Sequence, residues 1–504
     1  MIDCKLLRSI LSPNSPTFPH SKTAQGDDLP PDGLTMGTLF IGMQGTGKTT
    51  ALARHLFEYF KEFPDRPIFV LDWGGTLSNA ILGLVAQDPQ YERLLKRIVY
   101  DEMGHPEWVI PLPEFSYLYD FDTPIICFES QVERVKLNIK KMNDELVRIT
   151  PVVGGIAINQ LVPNLLRLCT AVIDEFGETW QTTEAINLIE EHHLLAEKLA
   201  KDGYKVPSAK YYLQNSFLNL NSHDKDLRSI AANAVFEPIS TDLVRARIGY
   251  PRPSWTPREA IKKGQMVLVN GHRFKNQRSK LDYLFTQVYS LIMSEMDKRQ
   301  PSEAQDKPVS LVMDEVYSLF EVPGLAVDIS KLSPQYRNVK LQLYIVLQEL
   351  AQMTKELRDH IWSIGNMVVF TLANFQEAYE FSQQLFPYQP TAIKLPAKTE
   401  TQQDITEPDR GQYLSIANQI QTLKNRECIM RIFYSESKRE KYVLWIKKTK
   451  DIPNSPQLVT VEELKETLLK DRGVRVKDAL EVVNRRFVSR KSIKVPKTRV
   501  RPTT

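Results

Sequence analysis

The sequence contains little cysteine and no long hydrophobic segment. Its four cysteines lie far apart and form no C-x-x-C pair, which argues against a disulfide framework or a zinc site and favours a reducing compartment. No run approaches the roughly 18 apolar residues of a membrane span, and the most apolar segment, 156–173, is broken by polar residues and an arginine. The apolar run near Met1 is too short and too charged for a signal peptide. We therefore expect no intrinsic membrane span and a cytoplasmic location, with membrane recruitment only through a partner.

The chain also has no large excess of positive or negative charge, since its net charge is only +4. The 42% hydrophobic and 25% charged residues are typical of a globular protein, and 504 residues indicate more than one domain. The one strongly biased segment is 485–504, with eight Lys or Arg residues and no acid. This tail either contacts nucleic-acid phosphates or stays solvated, and the sequence leaves both interpretations open.

Residues 42–49 read GMQGTGKT and match the phosphate-loop pattern G-x-x-x-x-G-K-[ST]. An apolar run precedes the loop, and a helix-forming run, 50–59, follows it. The glycines let backbone N–H groups close around phosphate oxygens, Lys48 reaches the terminal phosphates, and Thr49 can ligate Mg²⁺. The pattern predicts a nucleoside triphosphate site formed by Gly42, Gln44, Gly45, Thr46, Gly47, Lys48, Thr49 and Thr50.

Short apolar runs bounded by turn residues recur along the chain and alternate with helical patterns. This arrangement predicts an α/β fold with a mostly parallel sheet buried on both faces. The runs are 38–42, 66–72, 124–129, 265–270, 309–315, 341–348 and 367–373. Two further runs, 427–434 and 441–447, predict an antiparallel hairpin near the end of the sheet.

The remaining segments divide the chain into domains. Residues 1–33, rich in Pro, Ser and Asp, predict a flexible lead-in, and helical periodicity over about 131–262 predicts an inserted, mainly helical domain. The flanking segments 34–130 and 263–450 would form the nucleotide-binding domain. In 451–504, a capping box at 460–463 predicts a helix before the basic tail.

Two apolar segments end in Asp-Glu, and either pair could supply the acidic residues of the nucleotide site. Asp174-Glu175 continues a helical pattern, whereas Asp314-Glu315 ends a short apolar run that follows Pro308. We favour Asp314-Glu315. Asp314 would help to hold Mg²⁺ through water, and Glu315 would accept a proton from, or orient, the water that attacks the γ-phosphate. The alternative for Glu315 is an acid beside a helix N-terminus.

Three further polar residues lie beside predicted strands: Gln348 and Asp72 at strand ends, and Arg337 where a helix gives way to a strand. Gln348 ends an apolar strand and is predicted to sense the γ-phosphate and position water, as an alternative to a satisfied strand-end amide. Arg337, eleven positions earlier, is predicted to reach a neighbouring subunit's nucleotide and to stabilise transition-state charge there; a surface arginine is the equal alternative. Asp72 is either near the nucleotide or a turn residue before two glycines.

Taken together, the phosphate loop, Asp72, the strand ending in Asp314-Glu315 and the R-x10-Q unit resemble the HerA–FtsK superfamily of hexameric DNA-pumping ATPases. The predicted helical insertion looks most like that of type IV secretion coupling proteins and their TraG-like relatives. FtsK-type motors place an arginine eleven residues before the sensor glutamine, which is the spacing from Arg337 to Gln348. The resemblance covers about residues 34–130 and 263–450. It implies a RecA-like P-loop core, ATP and Mg²⁺, a homo-hexamer, and double-stranded DNA bound without sequence specificity.

The leading hypothesis is therefore a ring-forming ATPase that translocates double-stranded DNA and is stimulated by it, serving a nuclease, relaxase or membrane platform. Basic residues in 271–278 or in the C-terminal tail are candidate DNA contacts, although 271–278 equally suits a solvated turn. Two alternatives stay open. One is a protein-secretion ATPase of the same superfamily, and the other is a regulatory or defence scaffold whose assembly depends on nucleotide.

Overall fold

The architecture is described by a computed structural model. The described residues are 37–113, 115, 132, 157–172, 180–236, 239–274, 276–300, 307–315, 339–353, 358, 361–362, 364–385, 393–395, 405–406, 409–436, 439–449, 451–453 and 455–488. They fold into two compact units, the first drawn from 1–100, 258–272 and 293–465 and the second from 101–257, 273–292 and 466–504. Within these described ranges, no helix combines the length and the apolar character needed to cross a membrane.

A nine-stranded sheet, mostly parallel, carries the candidate site. The strands in chain order are β1 (Thr38–Ile41), β2 (Ile68–Asp72), β3 (Ile98–Glu102), β4 (Trp108–Val109), β5 (Met266–Asn270), β6 (Val309–Asp314), β7 (Leu341–Leu347), β8 (Asn366–Val369), β9 (Ile393–Leu395), β10 (Ile405–Thr406), β11 (Glu427–Glu436), β12 (Arg439–Lys448) and β13 (Val474–Arg475). The order in the large sheet is β12-β11-β8-β1-β7-β6-β2-β5-β3. Strands β8, β1, β7, β6, β2 and β5 are joined by parallel pairing, and β11 pairs antiparallel with β8 and β12.

The described α-helices alternate with these strands in the first unit and cluster in the second. They are α1 (Lys48–Glu62), α2 (Thr76–Gln87), α3 (Tyr91–Leu95), α4 (Val162–Ala171), α5 (Thr182–Glu190), α6 (His192–Asp202), α7 (Pro207–Tyr211), α8 (Ser222–Phe236), α9 (Asp242–Gly249), α10 (Pro257–Lys263), α11 (Arg278–Lys298), α12 (Phe375–Leu385), α13 (Asp409–Gln421), α14 (Val461–Arg472) and α15 (Val476–Val488). The predicted domain boundaries at 130 and 262 stay predictions.

The predicted strands agree closely with the sheet. Strands β1, β2, β5, β6, β7 and β8 all lie within or beside predicted apolar runs, and β11 and β12 form the predicted antiparallel hairpin. Their side chains explain the pattern, because β1, β2, β5 and β6 are buried along their whole length. Strand β3 was not predicted, since its sequence IVYDE mixes apolar and acidic residues. The run 124–129 lies outside the described residues.

Two helix termini test the sequence reasoning. The capping box is confirmed before α14, where the Thr460 amide donates to Glu463 at 2.9 Å and the Glu463 amide donates to the Thr460 hydroxyl at 3.2 Å. The helical pattern expected to run past residue 171 does not continue. Helix α4 ends at Ala171, and Val172 is extended, accepting a hydrogen bond from the Trp180 amide at 3.2 Å. Residues 174 and 175 lie outside the described residues.

A buried ion pair organises the second unit. Both guanidinium Nη atoms of Arg247 donate to the Asp101 carboxylate, at 2.6 and 2.7 Å, and Nη1 also donates to the Ile110 carbonyl. The side chains of Arg247 and Asp101 are 3% and 0% exposed, so neither charge can be solvated if its partner is lost.

We therefore expect Arg247→Ala to lower the free energy of unfolding by about 3–5 kcal/mol, because Asp101 would remain as an uncompensated buried charge. Arg485→Ala is the matched control. Arg485 pairs with Glu481 on α15, where both side chains are about half exposed, and its loss should cost less than about 1 kcal/mol. Chemical denaturation of the two variants measures the difference. Equal losses would contradict the assignment of Arg247 as a buried structural charge.

Candidate active site

The carboxyl ends of four neighbouring parallel strands meet at one edge of the sheet. Ile41 of β1 pairs with Leu347 of β7, and Asp314 of β6 pairs with Val346 of β7 and with Asp72 of β2. Residues that directly follow these strands therefore emerge side by side. In open α/β sheets, ligands bind at this edge. The phosphate loop, Glu315 and Gln348 all lie directly after strands at this edge.

The phosphate loop joins β1 to α1 and needs glycine at both ends. Gly42 has φ 153° and Gly47 has φ 98°, and both values lie in the region that side chains disfavour. A Cβ on Gly42 would lie 2.6 Å from the Cβ of Phe370, which leaves no room for a side chain. Gly47 is also the N-cap of α1, and among the described residues no side chain caps that helix. The first-turn N–H groups therefore suit a phosphate ligand.

Lys48 folds over the loop that precedes it. Its Nζ donates to the carbonyls of Gly42 at 2.5 Å and Met43 at 2.8 Å. The residue is only 6% exposed. Burial lowers the pKa of the Lys48 ammonium, and the carboxylates of Asp314 and Glu315 oppose that shift. Lys48 thus supplies a positive charge between the loop and the acidic strand end.

The other predicted loop residues line the same turn. Thr46 is buried, and its hydroxyl donates to the Met43 carbonyl at 2.7 Å. Gln44 and Gly45 are exposed, whereas Thr49 and Thr50 in the first turn of α1 are half-buried. A ligand can therefore reach the crest of the loop from solvent.

Asp314 and Glu315 face this loop from β6. Asp314 is 3% exposed. Burial raises the pKa of Asp314 well above its usual range, the negative charges of Asp72 and Glu315 add to the rise, and Lys48 opposes it. Because burial and the neighbouring acids disfavour the charged form of Asp314, a bound cation would favour its ionisation.

Glu315 and Gln348 are joined directly. The Gln348 side-chain amide donates to Oε1 of Glu315 at 2.5 Å. Glu315 has φ 55°, which turns the chain sharply where β6 ends, and its amide bonds to the Val346 carbonyl. Glutamate prefers the α and β regions of backbone conformation, so this left-handed conformation is energetically unfavourable.

Asp72 has a defined structural role. Its two carboxylate oxygens accept hydrogen bonds from the amides of Gly75, at 2.7 Å, and Ser78, at 2.6 Å, where α2 begins. Burial raises the pKa of Asp72 to about 6, and these backbone hydrogen bonds limit the rise. Asp72 thus shapes the turn after β2, and its charge also acts on Asp314.

Two contacts that hold the loop were not predicted from the sequence. The Met43 amide donates to the Thr371 carbonyl at 2.8 Å, just after β8, and the Arg426 amide donates to the Thr46 carbonyl at 3.0 Å, just before β11. Neither segment carries a recognisable motif. Arg337, predicted to act in trans, lies outside the described residues.

Solved proteins share this fold. An unbound form of the bacterial conjugative coupling protein TrwB is 13% identical, with a TM-score of 0.55 over 91% of this chain and 94% of that chain. The plasmid coupling protein TrwB in complex with a non-hydrolysable ATP analogue is 12% identical, with a TM-score of 0.53 over 86% and 90%. Its complex with ADP and Mg²⁺ is 13% identical, with a TM-score of 0.50 over 86% and 90%.

No family model matches the sequence, and no relative is found among curated proteins. At 12–13% identity the solved structures establish the fold alone. The predicted α/β class with a RecA-like P-loop core is confirmed, and the resemblance to coupling proteins holds at the level of fold.

Proposed function

We propose that this chain is an ATP-hydrolysing enzyme of the P-loop class. The observation that carries the proposal is the meeting, at one sheet edge, of the Lys48 loop with the hydrogen-bonded pair Glu315 and Gln348. A phosphate loop alone suits a switch as well as an enzyme. A carboxylate held by a glutamine beside that loop supplies a base and a water-orienting group for hydrolysis.

The residues at this edge fit Mg²⁺ and a nucleotide phosphate chain. The glycine-rich loop and the start of α1 would hold phosphates, with Lys48 turning from the loop carbonyls toward them. Thr49 and Asp314 would hold Mg²⁺, which is usually bound through few protein ligands together with phosphate and water. When bound, the ion would offset negative charge on the phosphates.

Glu315 is proposed to accept the proton of the attacking water, and Gln348 to fix the carboxylate and sense the phosphate. Gln348 bonds to Oε1 of Glu315, and the other carboxylate oxygen, Oε2, faces the turn after β2. A Cβ on Gly74, in that turn, would lie 3.5 Å from Oε2. The Glu315 carboxylate therefore lies between that turn and Gln348, close enough to Lys48 for their charges to interact.

We further propose that the enzyme forms a homo-hexameric ring that translocates double-stranded DNA. The support is the motif resemblance to HerA–FtsK motors together with the fold shared with a conjugative coupling protein. In a ring, Arg337 of one subunit would reach the nucleotide of the next and stabilise transition-state charge.

An ATPase assay with and without duplex DNA, beside a mass measurement with an ATP analogue, tests this proposal. We expect DNA to raise turnover by about tenfold or more, with strong salt dependence because binding rests on phosphates. ATP turnover that is unchanged by DNA would favour a protein-secretion ATPase. Slow turnover with nucleotide-dependent assembly would favour a regulatory scaffold. A chain that stays monomeric with nucleotide and DNA present would rule out the ring and the trans role of Arg337.

A further inference from the structure

Arg426 stands against the phosphate loop although it is remote from the loop in sequence. Its amide donates to the Thr46 carbonyl at 3.0 Å. Its side-chain stem packs on the last turn of the loop, where a Cβ on Gly47 would lie 2.7 Å from Cγ of Arg426. The aliphatic part of the side chain is thus fixed beside the loop glycine that opens α1.

The backbone of Arg426 is held in a conformation that arginine disfavours. Its φ is 68°, in the left-handed region. The carbonyl accepts hydrogen bonds from the Thr449 amide at 2.8 Å and the Thr449 hydroxyl at 3.2 Å, so both backbone polar groups are engaged. Glycine would adopt this conformation without cost. Arginine at this position therefore carries a backbone cost that glycine would avoid.

Among the described residues, the partner of the Arg426 guanidinium is an exposed carboxylate. Nη1 of Arg426 pairs with a carboxylate oxygen of Asp451 at 2.5 Å, and the two side chains are 31% and 67% exposed. Exposed ion pairs are weak, so a doubly charged phosphate can displace Asp451. Arg54, on the helix that follows the loop, donates to the backbone carbonyl of Asp451 at 2.6 Å and keeps this segment close.

We propose that Arg426 leaves Asp451 on nucleotide binding and contacts the phosphates that ATP and ADP share. A guanidinium forms two parallel hydrogen bonds to phosphate oxygens, which a lysine in the same place cannot reproduce. Asp451 then acts as a competing anion that holds Arg426 in the absence of nucleotide. This inference rests on the proposed nucleotide site and adds a binding residue to it.

The test is calorimetric titration of the full chain with ADP and with a non-hydrolysable ATP analogue. Arg426→Gly removes the side chain and relieves the backbone, so the variant keeps its fold, which thermal unfolding checks. We expect it to bind both nucleotides about tenfold or more weakly, the loss typical of a charge-assisted hydrogen bond. Arg426→Lys should recover only part of that loss.

Asp451→Asn is the matched variant, because it breaks the same ion pair and leaves the arginine in place. We expect it to bind both nucleotides about twofold to fivefold more tightly, since an exposed pair no longer competes. A loss equal to that of Arg426→Gly would show that the pair is only structural and would overturn the inference. Unchanged affinity in Arg426→Gly would overturn the proposed role of Arg426 but not the nucleotide site. A wild-type chain that binds neither nucleotide would contradict both proposals.

Discussion

Replacing Lys48 with alanine is expected to abolish ATP turnover, with a fall of at least about 100-fold, the scale seen when one donor to transition-state charge is removed. The charge of Lys48 interacts with those of Asp314 and Glu315, and its Nζ already lies 2.5 Å from the Gly42 carbonyl. Its removal takes away the donor to the phosphates and leaves the acidic cluster less compensated. ATP binding should weaken together with turnover.

Lys61→Ala is the control on the same helix. Lys61 stands near the end of α1, one-third exposed, and pairs with Asp88 at 2.5 Å. This substitution should change turnover by less than about twofold, since Lys61 lies about 20 Å along α1 from Lys48. Steady-state hydrolysis and equilibrium nucleotide binding separate the two variants. Hydrolysis by Lys48→Ala at the wild-type rate would defeat the site assignment.

Replacing Glu315 with glutamine is expected to keep ATP binding and to slow hydrolysis by about 10²- to 10⁴-fold, because general base catalysis contributes on that scale. The glutamine carbonyl can still accept the hydrogen bond from Gln348 that Oε1 accepts now at 2.5 Å. The geometry is therefore preserved while the basic oxygen is lost. Binding and single-turnover measurements distinguish this outcome from a folding defect.

Two controls accompany Glu315→Gln. Glu349→Gln alters an exposed carboxylate next to Gln348 and should leave turnover unchanged. Asp174→Asn tests the competing acidic pair and should also remain active. An inactive Asp174→Asn beside an active Glu315→Gln would mean that the wrong pair was chosen.

The local parts of the site could be read from the sequence because each is a short-range pattern. The loop at 42–49 carries its glycines and lysine in one stretch, and the strand before Asp314 is a compact apolar run. Parallel pairing then brings strand ends together, since every carboxyl end of such a sheet lies at the same edge. The contact of Gln348 with Glu315 follows from that geometry.

The features that the sequence did not predict depend on contacts between residues distant in the chain. No local pattern marks Arg426, because its position beside Gly47 arises only when β11 joins the sheet next to β8. The order of strands, with β1 between β7 and β8, is likewise a tertiary property. Helix α4 ends at Ala171, and Val172 accepts a hydrogen bond from the Trp180 amide, a contact that the apolar spacing does not indicate.

The left-handed backbone at Glu315 and Arg426 has a consequence for directed evolution. Each conformation costs a residue with a side chain about 1–2 kcal/mol, and glycine would recover much of that energy. A library selected only for heat resistance should therefore enrich glycine at both positions and yield robust but catalytically dead enzymes. Lys340, before β7, has the same backbone conformation away from the proposed nucleotide site. Thermostabilisation of this protein therefore needs a selection that also demands turnover, since two of these three positions lie at that site.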